Sequence, residues 1–144
     1  MRGDDHDLER FVSAQAGGVW QRAMAELAGG RKTGHWMWFV FPQVDGLGSS
    51  PTARFYAIAS LAEARAYLTH PVLGPRLIEG AELVAASTTD SAVALLGSID
   101  AQKLRSSMTL FLRADPAHPA FARVLDRYFD GRVDAATDRI LDQA

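Results

Sequence analysis

Apolar residues recur along most of the chain at the three- and four-residue spacing that places them on one face of an α-helix. Such repeats cover residues 8–15, 20–27, 61–68, 73–84, 104–112 and 121–128. Glycines or prolines separate most of them, as expected where one helix ends and the next begins. The pattern predicts a compact, all-α single domain of about eight or nine short helices over residues 7–144, after a disordered tail at residues 1–6.

Residues that can cap the N-terminus of a helix stand before several predicted helices. They are Asp7, Ser50, Ser60, Ser98 and Asp134. Ser50 is followed by a proline, which suits the first turn of a helix, and Ser60 is followed three residues later by Glu63, the spacing of a capping box. We therefore expect a helix to begin at each of these positions.

The run from Trp36 to Phe41 is apolar at every position and breaks the helical pattern. It is too short for an average helix, and Pro42 disfavours the helical region for the residue before it. Periodicity alone does not separate a buried strand from a buried helical turn. Because strand signals are nearly absent elsewhere, we favour a tightly turned segment with at least four of the six side chains buried, and at most a minor strand element in the domain.

Composition narrows the class of protein. The chain has 144 residues, of which 48% are hydrophobic and 22% charged, and its net charge of −2 gives no long-range attraction to a nucleic acid polymer or an acidic membrane. The absence of cysteine excludes disulfides and thiolate catalysis and fits a reducing compartment. No apolar run approaches the roughly 20 residues of a membrane helix, and the first residues lack the apolar core of a secretory signal. We expect a cytoplasmic protein with no membrane association.

Lysine is scarce in this chain. Of the 15 basic residues only Lys32 and Lys103 are lysines, and the others are arginines. Since arginine serves the surface elsewhere, the two lysines suggest positions that need a compact ammonium group and not a planar guanidinium. The alternative is that both are ordinary surface lysines.

Lys32 lies in a glycine-flanked turn together with Arg31 and His35. Glycine lets a backbone come close to a ligand, and the basic side chains make the turn a candidate pocket for phosphate or carboxylate. His35 is the candidate acid–base group, because histidine titrates near neutral pH. A solvated basic turn, with His35 bonded to the backbone, explains the same residues.

Three further residues of the segment suit a ligand site. Trp36 and Trp38 can stack on a base or a sugar, and the amide of Gln43 can read the polar edge of a ligand. The opposing interpretation places both tryptophans in the core, with Gln43 only stabilising the loop through its amide.

A second candidate group lies on the helix predicted after residue 98. Asp100, Lys103 and Ser107 fall at i, i+3 and i+7 and therefore share one face, with Asp100 the nearest partner for a lysine. The order of lysine and serine does not match S-x-x-K, so we expect no nucleophilic serine. The four histidines lack metal-site spacing, and no metal or cofactor is evident from the sequence.

Three long segments resemble a known family. They are GRKTGHWMWFVFPQVDGLGSS at residues 30–50, EARAYLTHPVLGPRL at residues 63–77 and DAQKLRSSMTLF at residues 100–111. The first is similar to the signature GRK-x-x-HWMWF-x-FPQ-x-x-GLG-x-S of a bacterial and fungal family, the domain-of-unknown-function family numbered 1810, and the likeness runs from about Asp7 to Leu141. The resemblance implies a mainly helical single domain and supplies no activity, cofactor or catalytic residue. Some members bear the name calpastatin, but nothing in this sequence supports a protease inhibitor.

Together these features predict a polar pocket where the Gly30–Ser50 segment meets the Asp100–Phe111 helix. We expect it to bind a small anionic metabolite, for which a nucleotide-derived compound would suit the tryptophans, and whether it also acts on that metabolite stays open. The alternative is a protein-interaction module without catalytic activity, which would have a partner protein. Convergence of Lys32, His35 and Lys103 on one concave surface would favour the first reading.

Overall fold

The computed structural model describes residues 6–143, and this part of the chain folds into ten α-helices. The helices are α1 (Glu9–Gln15), α2 (Val19–Ala28), α3 (Met37–Val40), α4 (Pro51–Phe55), α5 (Leu61–Thr69), α6 (Leu73–Ala86), α7 (Ala92–Leu96), α8 (Ser98–Ala114), α9 (Pro119–Phe129) and α10 (Ala135–Gln143). They hold 66% of the described residues, which confirms the predicted all-α class. Within those residues the only strand-like feature is an isolated parallel bridge between Val44 and Ile58. The predicted tail lies, apart from His6, outside the described residues.

The helix count exceeds the prediction because the aromatic run forms a helical turn of its own. Four of its six side chains, those of Trp36, Met37, Val40 and Phe41, are buried, as the sequence predicts. The turn ends at Phe41, whose backbone leaves the helical region immediately before Pro42. Trp38 and Phe39 are half-buried, so this segment contributes both to the core and to the surface.

Three predicted caps are confirmed and two are wrong. The side chains of Ser50 and Ser60 accept from the backbone N–H three residues on, at 3.1 Å in each case, and Asp134 accepts from the N–H of Thr137 at 3.0 Å. Asp7 does not cap α1, because its backbone is left-handed and the cap position falls on Leu8. Ser98 is already inside α8, because Gly97 takes the cap position.

Helix α8 is the centre of the domain. It packs against α5, α7, α9 and α10, and α6 packs against α2, α5 and α9 around it. Its inner face is buried from Leu104 to Phe111, and the buried apolar side chains form one continuous core. Ala101 and Leu104 are buried beside Asp100 and Lys103, so this part of the helix is anchored to the core.

Candidate functional site

A cleft of about 400 Å³ opens where the loop after α2 meets the corner between α7 and α8. We call it the lysine cleft, because both lysines of the chain, Lys32 and Lys103, line it. His35 and Trp38 form one wall, and Asp100 with residues 96–99 forms the other. The backbone N–H of Lys32 donates to the carbonyl of Leu95 at 2.8 Å, which joins the loop to the corner.

The two ammonium groups share one carboxylate. Asp100 Oδ2 lies 2.7 Å from the Nζ of Lys32, and Asp100 Oδ1 lies 3.6 Å from the Nζ of Lys103. Each lysine also lies over an indole ring, Lys32 at 5.1 Å from the centroid of Trp36 and Lys103 at 4.4 Å from that of Trp38. Two positive charges on one negative charge leave an excess of one positive charge in the cleft.

The two lysines differ in how firmly they are held. The side chain of Lys32 is only 9% exposed, and its Nζ also donates to the carbonyl of Gly34. The side chain of Lys103 is 20% exposed, and its distance to Asp100 exceeds that of a hydrogen bond. Lys103 is therefore the ammonium group with donors left for a ligand, while Lys32 is mainly occupied by the protein.

A glutamate that the sequence analysis missed fixes the loop. Glu26 Oε1, at the end of α2, accepts from the N–H of Thr33 at 2.7 Å, from that of Gly34 at 2.9 Å and from Nε1 of Trp36 at 2.9 Å. Burial raises the pKa of Glu26, but these hydrogen bonds outweigh it and lower the pKa to about 2. A Cβ at Gly34 would lie 3.2 Å from Glu26 Oε2 and 3.0 Å from Trp36 Cδ1, so a larger residue there would require these side chains to shift by a few tenths of an ångström.

The N-terminus of α8 also faces the lysine cleft. Gly97, at a φ of 89°, turns the chain from α7 into α8, and no side chain among the described residues caps this helix. The first-turn N–H groups therefore have no side-chain acceptor there, and the positive end of the helix dipole adds to the charge of the lysines. Both effects favour an anion.

Not every predicted site residue reaches the cleft. Arg31 is exposed and outside the lining, and Trp36 is 3% exposed, so its ring offers no open face to a ligand. Gln43 lines a neighbouring cavity of about 10 Å³ together with Trp38 and Lys103. Ser107 is fully buried one turn after Lys103, and its hydroxyl has no hydrogen-bond partner within the described part of the chain.

The hydroxyl-rich stretch of α8 serves the fold. Ser106 Oγ donates to Asp134 at 3.2 Å, and Thr109 accepts from the N–H of Asp134 at 2.8 Å. These bonds attach the start of α10 to α8. Ser106 and Thr109 are thus explained by contacts between helices, whereas the hydroxyl of Ser107 is not.

A second cleft, of about 530 Å³, adjoins the first. We call it the aromatic cleft, because Trp38, Phe39, Phe55 and Tyr56 line it. Trp38 and His35 border both clefts, so the two form one continuous surface. No site residue was predicted on α4, although Phe55, at its end, is 56% exposed.

Among residues 6–143 no group of three or more histidine, cysteine, aspartate or glutamate side chains is placed to hold a metal ion. In the same part of the chain, no helix combines the length and apolar character needed to cross a membrane.

Comparison with known proteins identifies the family. A family model described as "Protein of unknown function (DUF1810)" matches residues 5–141. The chain belongs to the DUF1810 family. Its fold is similar to the crystal structure of the conserved hypothetical protein Rv1873 from Mycobacterium tuberculosis, with a TM-score of 0.94 and 51% identity over 96% of this chain and 99% of that one. No curated protein matches the chain.

Two of the segments that resemble the DUF1810 family form the two walls of the lysine cleft. The first carries Lys32, His35 and Trp38, and the third carries Asp100 and Lys103. They are far apart in the DUF1810 sequence and meet where the loop after α2 contacts the corner between α7 and α8. Residues from two separate sequence motifs therefore lie together in the lysine cleft.

Proposed function

We propose that the lysine cleft binds a small metabolite through an anionic group, either phosphate or carboxylate. The observation that carries the proposal is the position of Lys103, whose ammonium group lies 3.6 Å from Asp100 and 4.4 Å from the centre of the Trp38 ring in an open cleft. An ammonium group on a flexible stem can move toward a ligand without breaking a short hydrogen bond.

Three groups would act together on the anion. Lys103 contributes a charge-assisted hydrogen bond, the first turn of α8 contributes backbone N–H donors, and His35 adds a donor at the boundary of the cleft. Asp100 would remain bonded to Lys32, so the ligand displaces only the longer of its two ion pairs. In any reaction at this site, His35 is the side chain suited to proton transfer.

A second candidate function is a protein-interaction module. It is favoured by the exposure of two large apolar side chains beside the clefts, Ile99 at 72% and Phe55 at 56%. A partner protein would cover these side chains, and Lys103 would then contribute only at the edge of the interface. We also propose a cytoplasmic location, since a chain without cysteine needs no oxidising compartment.

Titration calorimetry and thermal unfolding with phosphate, pyrophosphate and acetate at low ionic strength test the binding proposal. We expect at least one of these anions to bind and to raise the melting temperature, since a ligand at 100 times its Kd adds about 2.7 kcal/mol. Lys103→Met should weaken binding by roughly 10- to 100-fold, because a hydrogen bond to a charged group contributes about 1.5–3 kcal/mol. Lys103→Arg should weaken it less.

Arg31→Met is the matched control, because it removes one positive charge from an exposed position outside the cleft. It should bind the anions as the parent does. If Lys103→Met and Lys103→Arg both retain the affinity of the parent, the anion site is not at Lys103. If no anion binds the parent protein, the interaction module becomes the better account of the surface.

A further inference from the structure

We infer that the bound anion belongs to a molecule with a planar heteroaromatic ring, such as a nucleoside monophosphate, and that the ring occupies the aromatic cleft. This inference rests on the proposed function, because it extends the ligand beyond the anionic group held at Lys103. Trp38 and His35 line both clefts, so a single ligand can extend from one to the other.

The lining of the aromatic cleft favours a flat ring over an alkyl chain. It contains four aromatic side chains, and no leucine, isoleucine, valine or methionine is among its described residues. The ring of Tyr56 meets that of Phe55 edge-on, with centroids 4.8 Å apart, and lies 5.4 Å from that of Phe39. Aromatic rings stack on every nucleobase, because each base has a π-face.

Among the residues of the aromatic cleft, Phe55 provides the strongest argument for a ligand. It ends the short helix α4, whose start is fixed by the cap at Ser50 and by Pro51 at the first position. The backbone carbonyl of Phe55 accepts from Nε of Arg10 at 2.8 Å, so the residue has a defined place although its side chain is 56% exposed. A ring held at a cleft while contributing little to the core is suited to stack on a ligand.

Polar groups at the boundary provide contacts for the rest of such a ligand. Thr52 lines the aromatic cleft with a hydroxyl group, and the imidazole of His35 lies at the junction of the two clefts. A sugar between base and phosphate carries hydroxyl groups that these side chains can bond. The joined clefts therefore offer aromatic rings, polar side chains and an ammonium group, the kinds of partner that a base, a sugar and a phosphate take.

Titration calorimetry with AMP, ribose 5-phosphate and adenosine tests the inference on the full chain. AMP should bind about 5- to 150-fold more tightly than ribose 5-phosphate, the range that base stacking supplies. Phe55→Ala should reduce this ratio at least about fivefold and leave the affinity for ribose 5-phosphate unchanged. Phe55→Leu, which keeps an apolar side chain but removes the ring, should also reduce it.

Val93→Ala is the control, since Val93 on α7 is 55% exposed and lines neither cleft. It should keep the ratio of the parent. Equal affinities for AMP and ribose 5-phosphate, or an unchanged ratio in Phe55→Ala, would overturn the inference while the anion site stands. Binding of adenosine as tight as that of AMP, unaffected by Lys103→Met, would instead overturn the anion site.

Discussion

A single carboxylate determines the shape of the loop that carries Lys32. Glu26 accepts three hydrogen bonds from residues 33–36, and its pKa of about 2 reflects the preference of those donors for the charged form. A negative charge in the last turn of a helix opposes the helix dipole. The three donors offset that cost, so Glu26 stabilises the loop at residues 33–36 and not helix α2.

We predict that Glu26→Gln lowers the free energy of unfolding by about 2 kcal/mol at pH 7, the scale of hydrogen bonds to a charged acceptor at a partly exposed site. Because the pKa of Glu26 is about 2 in the folded protein and 4.5 as a free side chain, its stabilisation is complete above about pH 4.5 and is lost as the pH falls toward 2. The gap between parent and variant should therefore close over that interval in urea unfolding experiments.

Glu79→Gln provides the control, because it removes the same charge from an exposed position on α6. It should change stability little at any pH. A gap between parent and Glu26→Gln that stays constant from pH 7 to pH 3 would show that the loop does not depend on the charge of Glu26.

For single residues, the sequence predicted part of the lysine cleft. The spacing of Asp100 and Lys103 on one helix made them neighbours, since three residues along a helix return to the same face. The scarcity of lysine pointed to Lys32, but its bond to Asp100 depends on how the loop after α2 meets the corner between α7 and α8, which local spacing does not contain. Glu26 was missed because a polar residue on the outer face of an amphipathic helix has an ordinary appearance.

Between elements, the capping box before α5 differs from its sequence signature. Ser60 accepts from the N–H of Glu63 as expected, but Glu63 Oε1 reaches past Ser60 to accept from the N–H of Ala59 at 2.9 Å. The other oxygen of Glu63 lies 2.7 Å from Nη2 of Arg10 on α1. A local cap thus also connects two helices.

We predict that Arg10→Met destabilises the protein by about 3 kcal/mol. The side chains of Arg10 and Glu63 are only 9% and 4% exposed, and removal of one partner leaves a buried charge without its counterion. Arg10 also donates to the carbonyls of Phe55 and Ala57, which would lose their partner. Urea unfolding of the variant measures the effect.

Arg113→Met is the comparison, because Arg113 forms its ion pairs with Asp138 and Asp142 at the surface, with its own side chain 35% exposed. Such pairs contribute less than about 1 kcal/mol. Equal losses in the Arg10 and Arg113 variants would mean that burial does not distinguish the two ion pairs.

For the elements, apolar spacing predicted the helices with one buried face, whereas the tight turn in residues 36–41 was predicted only because strand signals are scarce elsewhere. The longer helices follow from their apolar spacing. Helix α3 did not, because a run that is apolar on all sides has no face, and its turn is stabilised by tertiary packing of Trp36 and Phe41. The cap of α8 moved to Gly97 because the preceding turn requires a positive φ, which glycine adopts with least strain.

At the scale of the whole molecule, one apolar core joins the helices. The buried cluster of the described residues runs from Phe11 on α1 through Leu77 on α6 and Leu104 on α8 to Leu141 on α10. Domains of this size with a single core usually unfold in one cooperative step. The sequence predicted the all-α class and a pocket between the Gly30–Ser50 segment and α8, where the lysine cleft lies. The aromatic cleft was not predicted, because it arises from how α3 and α4 meet.

We predict that unfolding followed by far-ultraviolet circular dichroism and by tryptophan fluorescence gives the same midpoint. The first signal reports all helices, and the second reports Trp20 on α2 together with Trp36 and Trp38 around the loop. Urea titrations with both probes check the agreement. A separate, earlier fluorescence transition would show that the loop region melts before the rest.

The sharing of Asp100 by two lysines has a consequence for how long a ligand stays. The carboxylate of Asp100 lies between the two ammonium groups and reduces their mutual repulsion. Under the proposed function, an arriving anion must compete with Asp100 for Lys103, and on departure Asp100 takes Lys103 back. This competition lowers affinity and shortens residence, which suits a compound that exchanges with the surrounding pool and not one that remains attached for the lifetime of the protein.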